Sequence, residues 1–138
     1  MIQFYHISHT DLDGYGCQFI TKKFFKNGKF FNANYGIEIQ SSLNIVIDSI
    51  KQSEQKNIFF LLSDLNLTYD ESKKLDKNIK QLNNNGYNIN LQLLDHHGSG
   101  QKSADRFSWY YLDTSRSATK ITYDYFLENY QTFNISDE

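Results

Sequence analysis

The chain has 138 residues, 39% hydrophobic and 16% aromatic, which is enough apolar material for the core of one domain. A charged fraction of 22% excludes a disordered polyelectrolyte, and 14 basic against 16 acidic residues exclude a strongly basic nucleic-acid coat protein. The single cysteine, Cys17, excludes an internal disulfide or a thiolate zinc site, and no apolar run approaches the roughly 18 residues of a membrane helix, so a cytoplasmic domain with no membrane partner is the expectation.

Residues 2–8 are β-branched and aromatic, and predict a strand. Gly14 to Lys26 carries apolar residues at helical spacing and stops at Asn27-Gly28, as a helix end does. Lys29 to Tyr35 predicts a second strand, and Ser41-Ser42 offers an N-cap for a helix to about Ser53. Asn57 to Leu62 is a continuous apolar run, the pattern of a parallel strand buried on both faces. Thr68 and Glu71 have capping-box spacing for a helix to about Asn83, and Tyr87 to Leu94 predicts the next strand. Lys102 to Leu112 reads as irregular or a short strand, and Ser117 to Tyr130 as a helix. Alternating strands and helices predict an α/β fold with a mostly parallel β-sheet flanked by helices on both faces.

Ionisable residues gather after three of the strands. His9, Asp11 and Asp13 follow the first, Asp64 follows NIFFLLS, and Asp95, His96 and His97 follow NINLQLL. In a parallel sheet these loops share one edge, where such folds place their sites. An extended segment would point His9, Asp11 and Asp13 to one side, successive pairs about 6–7 Å apart. Taken singly, each has a plainer reading: an aspartate at a strand end usually caps a helix, and Asp-x-Asp-Gly is usually a turn. Taken together, four carboxylates at one edge would repel unless cations or protons neutralised them. Two divalent ions about 3.5–4 Å apart, sharing one carboxylate, would do so and suit phosphate displacement. Gly14 and Gly16 would let the backbone turn closely into the following helix.

HTDLDG (residues 9–14), Asp64 in LLSDLN, and DHH (residues 95–97) together resemble the DHH phosphoesterase family, and SRSATKITYDYF (residues 115–126) resembles the Ser-Ser/Ala-Thr helix start found in many members. The family includes RecJ-type single-strand exonucleases, oligoribonucleases, cyclic-dinucleotide phosphodiesterases and family II pyrophosphatases. The resemblance implies a phosphodiesterase domain acting on a short oligonucleotide, single-stranded nucleic acid or cyclic nucleotide through a water activated by two divalent metal ions, Mn2+ or Mg2+. It implies that His9 and Asp11 hold one ion, that Asp13 and His96 hold the second, and that Asp64 bridges them. His97 would contact the scissile phosphate or assist the leaving group, with Asp95 orienting the histidine pair. The pyrophosphatase branch has Asn-Pro before its aspartates, and this chain has no proline.

The resemblance also implies a fourth-motif aspartate and a second, substrate-binding C-terminal domain, for which Asp113, Asp124 and Asp137 are poor substitutes. Residues 1–138 are therefore expected to form the catalytic domain, ending before that motif, with weak metal binding and little activity alone. A non-catalytic metal- or nucleotide-binding module, or a pyrophosphatase-like phosphoanhydride hydrolase, is the alternative. Arg116 and Lys120, beside the Ser117-Ala118-Thr119 helix start, are candidates to meet a phosphate; Trp109, Tyr110 and Tyr111 are read as core or docking surface before base stacking; Cys17 is read as core. With Asp11, Asp13, Asp64 and Asp95 assigned to the site, 12 acids remain against 14 bases, so a phosphate substrate is not disfavoured.

Overall fold

The computed structural model describes residues 2–129. Five strands, β1 (Gln3–His9), β2 (Lys29–Ala33), β3 (Asn57–Ser63), β4 (Asn88–Asp95) and β5 (Tyr110–Leu112), form one parallel sheet in the order β2-β1-β3-β4-β5. The helices are α1 (Leu12–Phe24), α2 (Ile37–Gln52), α3 (Tyr69–Asn84), α4 (Gln101–Arg106) and α5 (Ala118–Asn129). The α/β fold is as expected, with helices covering both faces of the sheet.

Strand alternation divides the core in two. Tyr5, Ile7, Ile58, Phe60 and Leu62 turn to one face, against Ile39, Val46 and Ile50 of α2 and Leu75, Ile79 and Leu82 of α3. Phe4, Phe59 and Leu61 turn to the other, against Phe24 of α1 and Ile121 and Phe126 of α5. The central strand β3 is therefore buried on both sides, which is why its sequence is uniformly apolar. Cys17 is buried too, its thiol pushed up to about 12 by burial, and it takes a hydrogen bond from Thr122 Oγ1 at 3.4 Å.

Several boundaries differ from the sequence reading, each for a local reason. Helix α2 begins at Ile37, not after Ser42: Gly36 is its N-cap, and Glu38 in the first turn accepts the Asn34 N–H at 3.1 Å. The segment 102–112 is mostly ordered, with a 3₁₀ turn at Gly98–Gly100 leading into α4 and then β5. The Thr68 capping box forms as read, the Thr68 N–H donating to Glu71 Oε1 at 2.8 Å and Glu71 N–H to Thr68 Oγ1 at 3.1 Å. Tyr130, the expected end of α5, lies outside the described residues, as does Asp137.

The largest correction concerns residues 9–13. They are not extended throughout: β1 ends at His9, Asp11 is the N-cap of α1, and Asp13 lies in its first turn. Asp11 Oδ1 accepts the Gly14 N–H at 2.7 Å, closing that turn. Gly14 is needed there because a Cβ would overlap the His9 carbonyl oxygen.

Candidate metal centre

The register of the sheet sets up the site. Ser8 pairs with Ser63, and Ser63 with Leu94, so the next residues, His9, Asp64 and Asp95, stand abreast at the carboxyl ends of three neighbouring strands. Adjacent strands lie about 4.8 Å apart, within the span of short polar side chains.

Asp64 is at the middle of this row. Its backbone takes a left-handed φ of 57°, unusual for a residue with a Cβ but tolerated by aspartate, and its N–H donates to the Leu94 carbonyl at 3.0 Å. Its two carboxyl oxygens face different partners. Oδ1 lies 3.1 Å from His96 Nε2, and Oδ2 lies 3.9 Å from His9 Nδ1. His9 Nδ1 is also 2.7 Å from Asp11 Oδ2, and His96 Nε2 is 3.4 Å from Asp13 Oδ2. The extra turn of helix, not an extended strand, is what carries Asp13 over to His96.

The third histidine is held differently. His97 Nδ1 donates to Asp95 Oδ1 at 2.8 Å, and Asp95 is fully buried at the end of β4. That bond leaves His97 Nε2 as the ring nitrogen available to a ligand.

Two sets of donor atoms lie mutually within 4.8 Å: His9, Asp11 and Asp64, and Asp64, Asp95, His96 and His97. They share Asp64, the residue expected to bridge. Its Oδ2 is buried and has no hydrogen-bond partner among the described residues, a position that is costly for a carboxylate oxygen unless a proton or cation satisfies it. Burial first, and then the neighbouring Asp11, Asp13 and Asp95, push the Asp64 carboxyl up to about 9. Asp11 moves the other way: although burial raises it, the Asp64 carboxyl beside it, the Gly14 amide and His9 hold it down to about 2. A divalent cation between the two carboxylates would relieve their repulsion. Imidazole and carboxylate donors together suit a divalent cation.

Arg116 and Lys120 lie in a separate ion network. The Arg116 guanidinium donates to Asp113 Oδ2 and Asp124 Oδ2, each at 2.6 Å, and to the Tyr111 hydroxyl at 2.6 Å. Lys120 Nζ donates to Asp124 Oδ1 at 2.9 Å. Three of the five Arg116 N–H groups are thus engaged. Trp109 and Tyr110 are core residues, donating to Asp76 Oδ1 and Asn66 Oδ1, while Tyr111 is 42% exposed.

Sequence reasoning missed Tyr35. Two residues beyond the end of β2, its ring stacks on His9 at 4.6 Å between centroids and stands edge-on to His97 at 6.4 Å. Burial and then Asp95 and Asp64 push its hydroxyl up to about 12, so it stays protonated beside the carboxylates. The available signal was positional: β2 flanks β1, so a residue just past β2 falls beside His9.

No family model matches the chain. It is 45% identical, over 130 residues, to a 3',5'-cyclic-nucleotide phosphodiesterase of Helicobacter pylori, the match covering 94% of this chain and 37% of that protein. A crystal structure of an uncharacterized protein from Helicobacter pylori G27 superposes with a TM-score of 0.90 at 46% identity, again covering 94% of this chain and 37% of the other. The chain thus spans little more than a third of the length of the relatives it matches.

Proposed function

We propose that this chain is the metal-binding part of a phosphodiesterase of the DHH type, hydrolysing a phosphodiester in a cyclic nucleotide or short oligonucleotide. The observation that carries the reading is the divergent carboxylate of Asp64, buried, with one oxygen toward His96 and the other, unpartnered, toward His9. The similarity to a cyclic-nucleotide phosphodiesterase supports the substrate class.

In this reading His9 and Asp11 would hold one divalent ion, Asp13 and His96 would hold a second, and Asp64 would be shared between them. When bound, the two ions would supply Lewis acidity at the phosphate and lower the pKa of the attacking water. The chain's own residues do the rest. The buried Asp95 fixes His97 through Nδ1, which leaves Nε2 free to face a substrate. His97 Nε2 would hold a phosphate oxygen or give a proton to the leaving oxygen. Tyr35 keeps His9 and His97 apart and oriented. Arg116, anchored by Asp113 and Asp124, has two N–H groups left for a phosphate. In this reading a fourth-motif aspartate would complete the second ion's ligands later in the catalytic domain, and a further domain of a longer protein would bind substrate.

A hydrolysis panel on the full gene product tests it, with cyclic nucleotides, short RNA and DNA oligomers and pyrophosphate, each with Mn2+, Mg2+ or chelator. Metal-dependent phosphodiester cleavage is expected. On the 138-residue chain, Mn2+ should raise the melting temperature by several degrees, and Asp64→Ala should abolish that rise. Turnover of pyrophosphate alone, or a rise in melting temperature with no turnover of any substrate, would overturn the phosphodiesterase reading.

A further inference from the structure

Helix α5 starts against the metal centre, and the contact is made by Asp13, 105 residues earlier in the chain. Asp13 Oδ2 accepts the Ala118 N–H at 2.9 Å, and Oδ1 accepts the Thr119 N–H at 2.9 Å. The Thr119 hydroxyl reaches the same Oδ1 at 2.5 Å and lies 3.0 Å from the Asp13 carbonyl oxygen. The helix has an N-cap of its own as well, since Ser117 Oγ accepts the Lys120 N–H at 3.1 Å. Asp13 therefore supplements an ordinary cap, and what the arrangement adds is a fixed direction for the Asp13 carboxylate. Oδ1 takes two donors from Thr119; Oδ2 takes only one and is the oxygen 3.4 Å from His96 Nε2.

The α1 side of this contact is shaped to receive it. Gly16, one turn beyond Asp13, faces Thr119, and a Cβ there would overlap the Thr119 hydroxyl. The glycine and the threonine fit each other across the α1–α5 contact, and their fit sets how closely Thr119 approaches Asp13.

We infer that Thr119 is a positioning residue for the metal centre: its hydroxyl and backbone N–H lock the Asp13 carboxylate with Oδ2 toward His96, preparing a second divalent-cation position. This rests on the two-ion reading above. Without the hydroxyl, Asp13 keeps the two backbone donors but gains rotational freedom, and a ligand that must be ordered on binding holds its ion less tightly.

The test compares Thr119→Val, Thr119→Ser, Gly16→Ala and Ser117→Ala in the full gene product by calorimetric Mn2+ titration, by electron paramagnetic resonance of the coupled ion pair, and by melting temperature. Wild type is expected to bind two Mn2+ per chain. Thr119→Val and Gly16→Ala should weaken the second ion about 10-fold or more, in the range known for groups that orient metal ligands, and lose the coupled-pair signal. Thr119→Ser should retain both ions. Ser117→Ala should lower the melting temperature while leaving Mn2+ titration unchanged. Equal Mn2+ binding by wild type and Thr119→Val overturns the inference alone, as does a second-ion loss in Ser117→Ala matching that of Thr119→Val. Should Thr119→Val not fold, Thr119→Ala carries the same expectation. A wild-type chain that binds no Mn2+ overturns the two-ion reading itself, before any variant is compared.

Discussion

The molecule contains two carboxylate clusters whose electrostatics run in opposite directions. In one, Asp11, Asp13, Asp64 and Asp95 lie close together with no Lys or Arg ion pair among the described residues, and the central carboxyl, Asp64, is pushed up to about 9 by burial and by its acidic neighbours. In the other, Asp113 and Asp124 close around Arg116 and Lys120, and both carboxyls are pushed down, Asp113 to about 2, by hydrogen bonds from Ser115 and Arg116, and Asp124 by Lys120 first. The second cluster carries its cations within the chain and is complete. The first is built from the same residue type without permanent positive charge, and a buried orphan oxygen marks where charge is lacking. That contrast, more than any count of acids, is the physical basis for proposing a divalent cation at one cluster and not at the other.

The strongest way to break the contrast is to disturb the turn that assembles the first cluster. Gly14→Ala places a Cβ on the His9 carbonyl, so the strand-to-helix turn must open. A loss of more than about 2 kcal/mol in urea denaturation is expected, together with loss of Mn2+ stabilisation. A variant with wild-type stability and wild-type Mn2+ response would show that the turn is not needed.

A milder perturbation acts through Tyr35. Tyr35→Ala removes the ring stacked on His9 and should weaken Mn2+ binding by about 2–10-fold, the range of an aromatic pair. Tyr35→Phe keeps the ring and should bind Mn2+ as wild type does in the same calorimetric titration. Equal weakening by both would assign the effect to the hydroxyl instead.

The smallest effect belongs to the second cluster. The Asp113 carboxyl lies below its ordinary 3.8, at about 2, so it contributes stability above 3.8 that is lost as pH falls toward 2. The difference in melting temperature between wild type and Asp113→Asn should therefore shrink across that window. Because these groups are still partly open to solvent, the difference should be only about 2 °C at neutral pH and should shrink further in 1 M salt. A salt-independent difference would mean that the network acts through packing rather than charge.

The elements whose period is set by burial were legible along the chain. β3 reads as buried on both faces because it is, and α3 announces its start because Thr68 and Glu71 satisfy each other within one turn. The start of α2 was not legible: Gly36, with φ of 80°, ends the preceding turn, while Ser41 and Ser42 lie within the helix. Residues 9–13 differ in conformation from the extended reading: a strand end and one helical turn place His9, Asp11 and Asp13 at the same edge of the sheet.

By itself the sequence determined which residue types would gather, since strand-terminal His and Asp in a parallel α/β chain can only emerge at one edge of the sheet. What the tertiary structure decided is how they face one another. The β1–β3–β4 register puts His9, Asp64 and Asp95 abreast, and the approach of α5 to α1 turns Asp13 toward His96. The position of β2 beside β1 likewise brings Tyr35 onto His9. Register and helix approach depend on contacts between residues far apart in the chain, and local spacing carries no record of them.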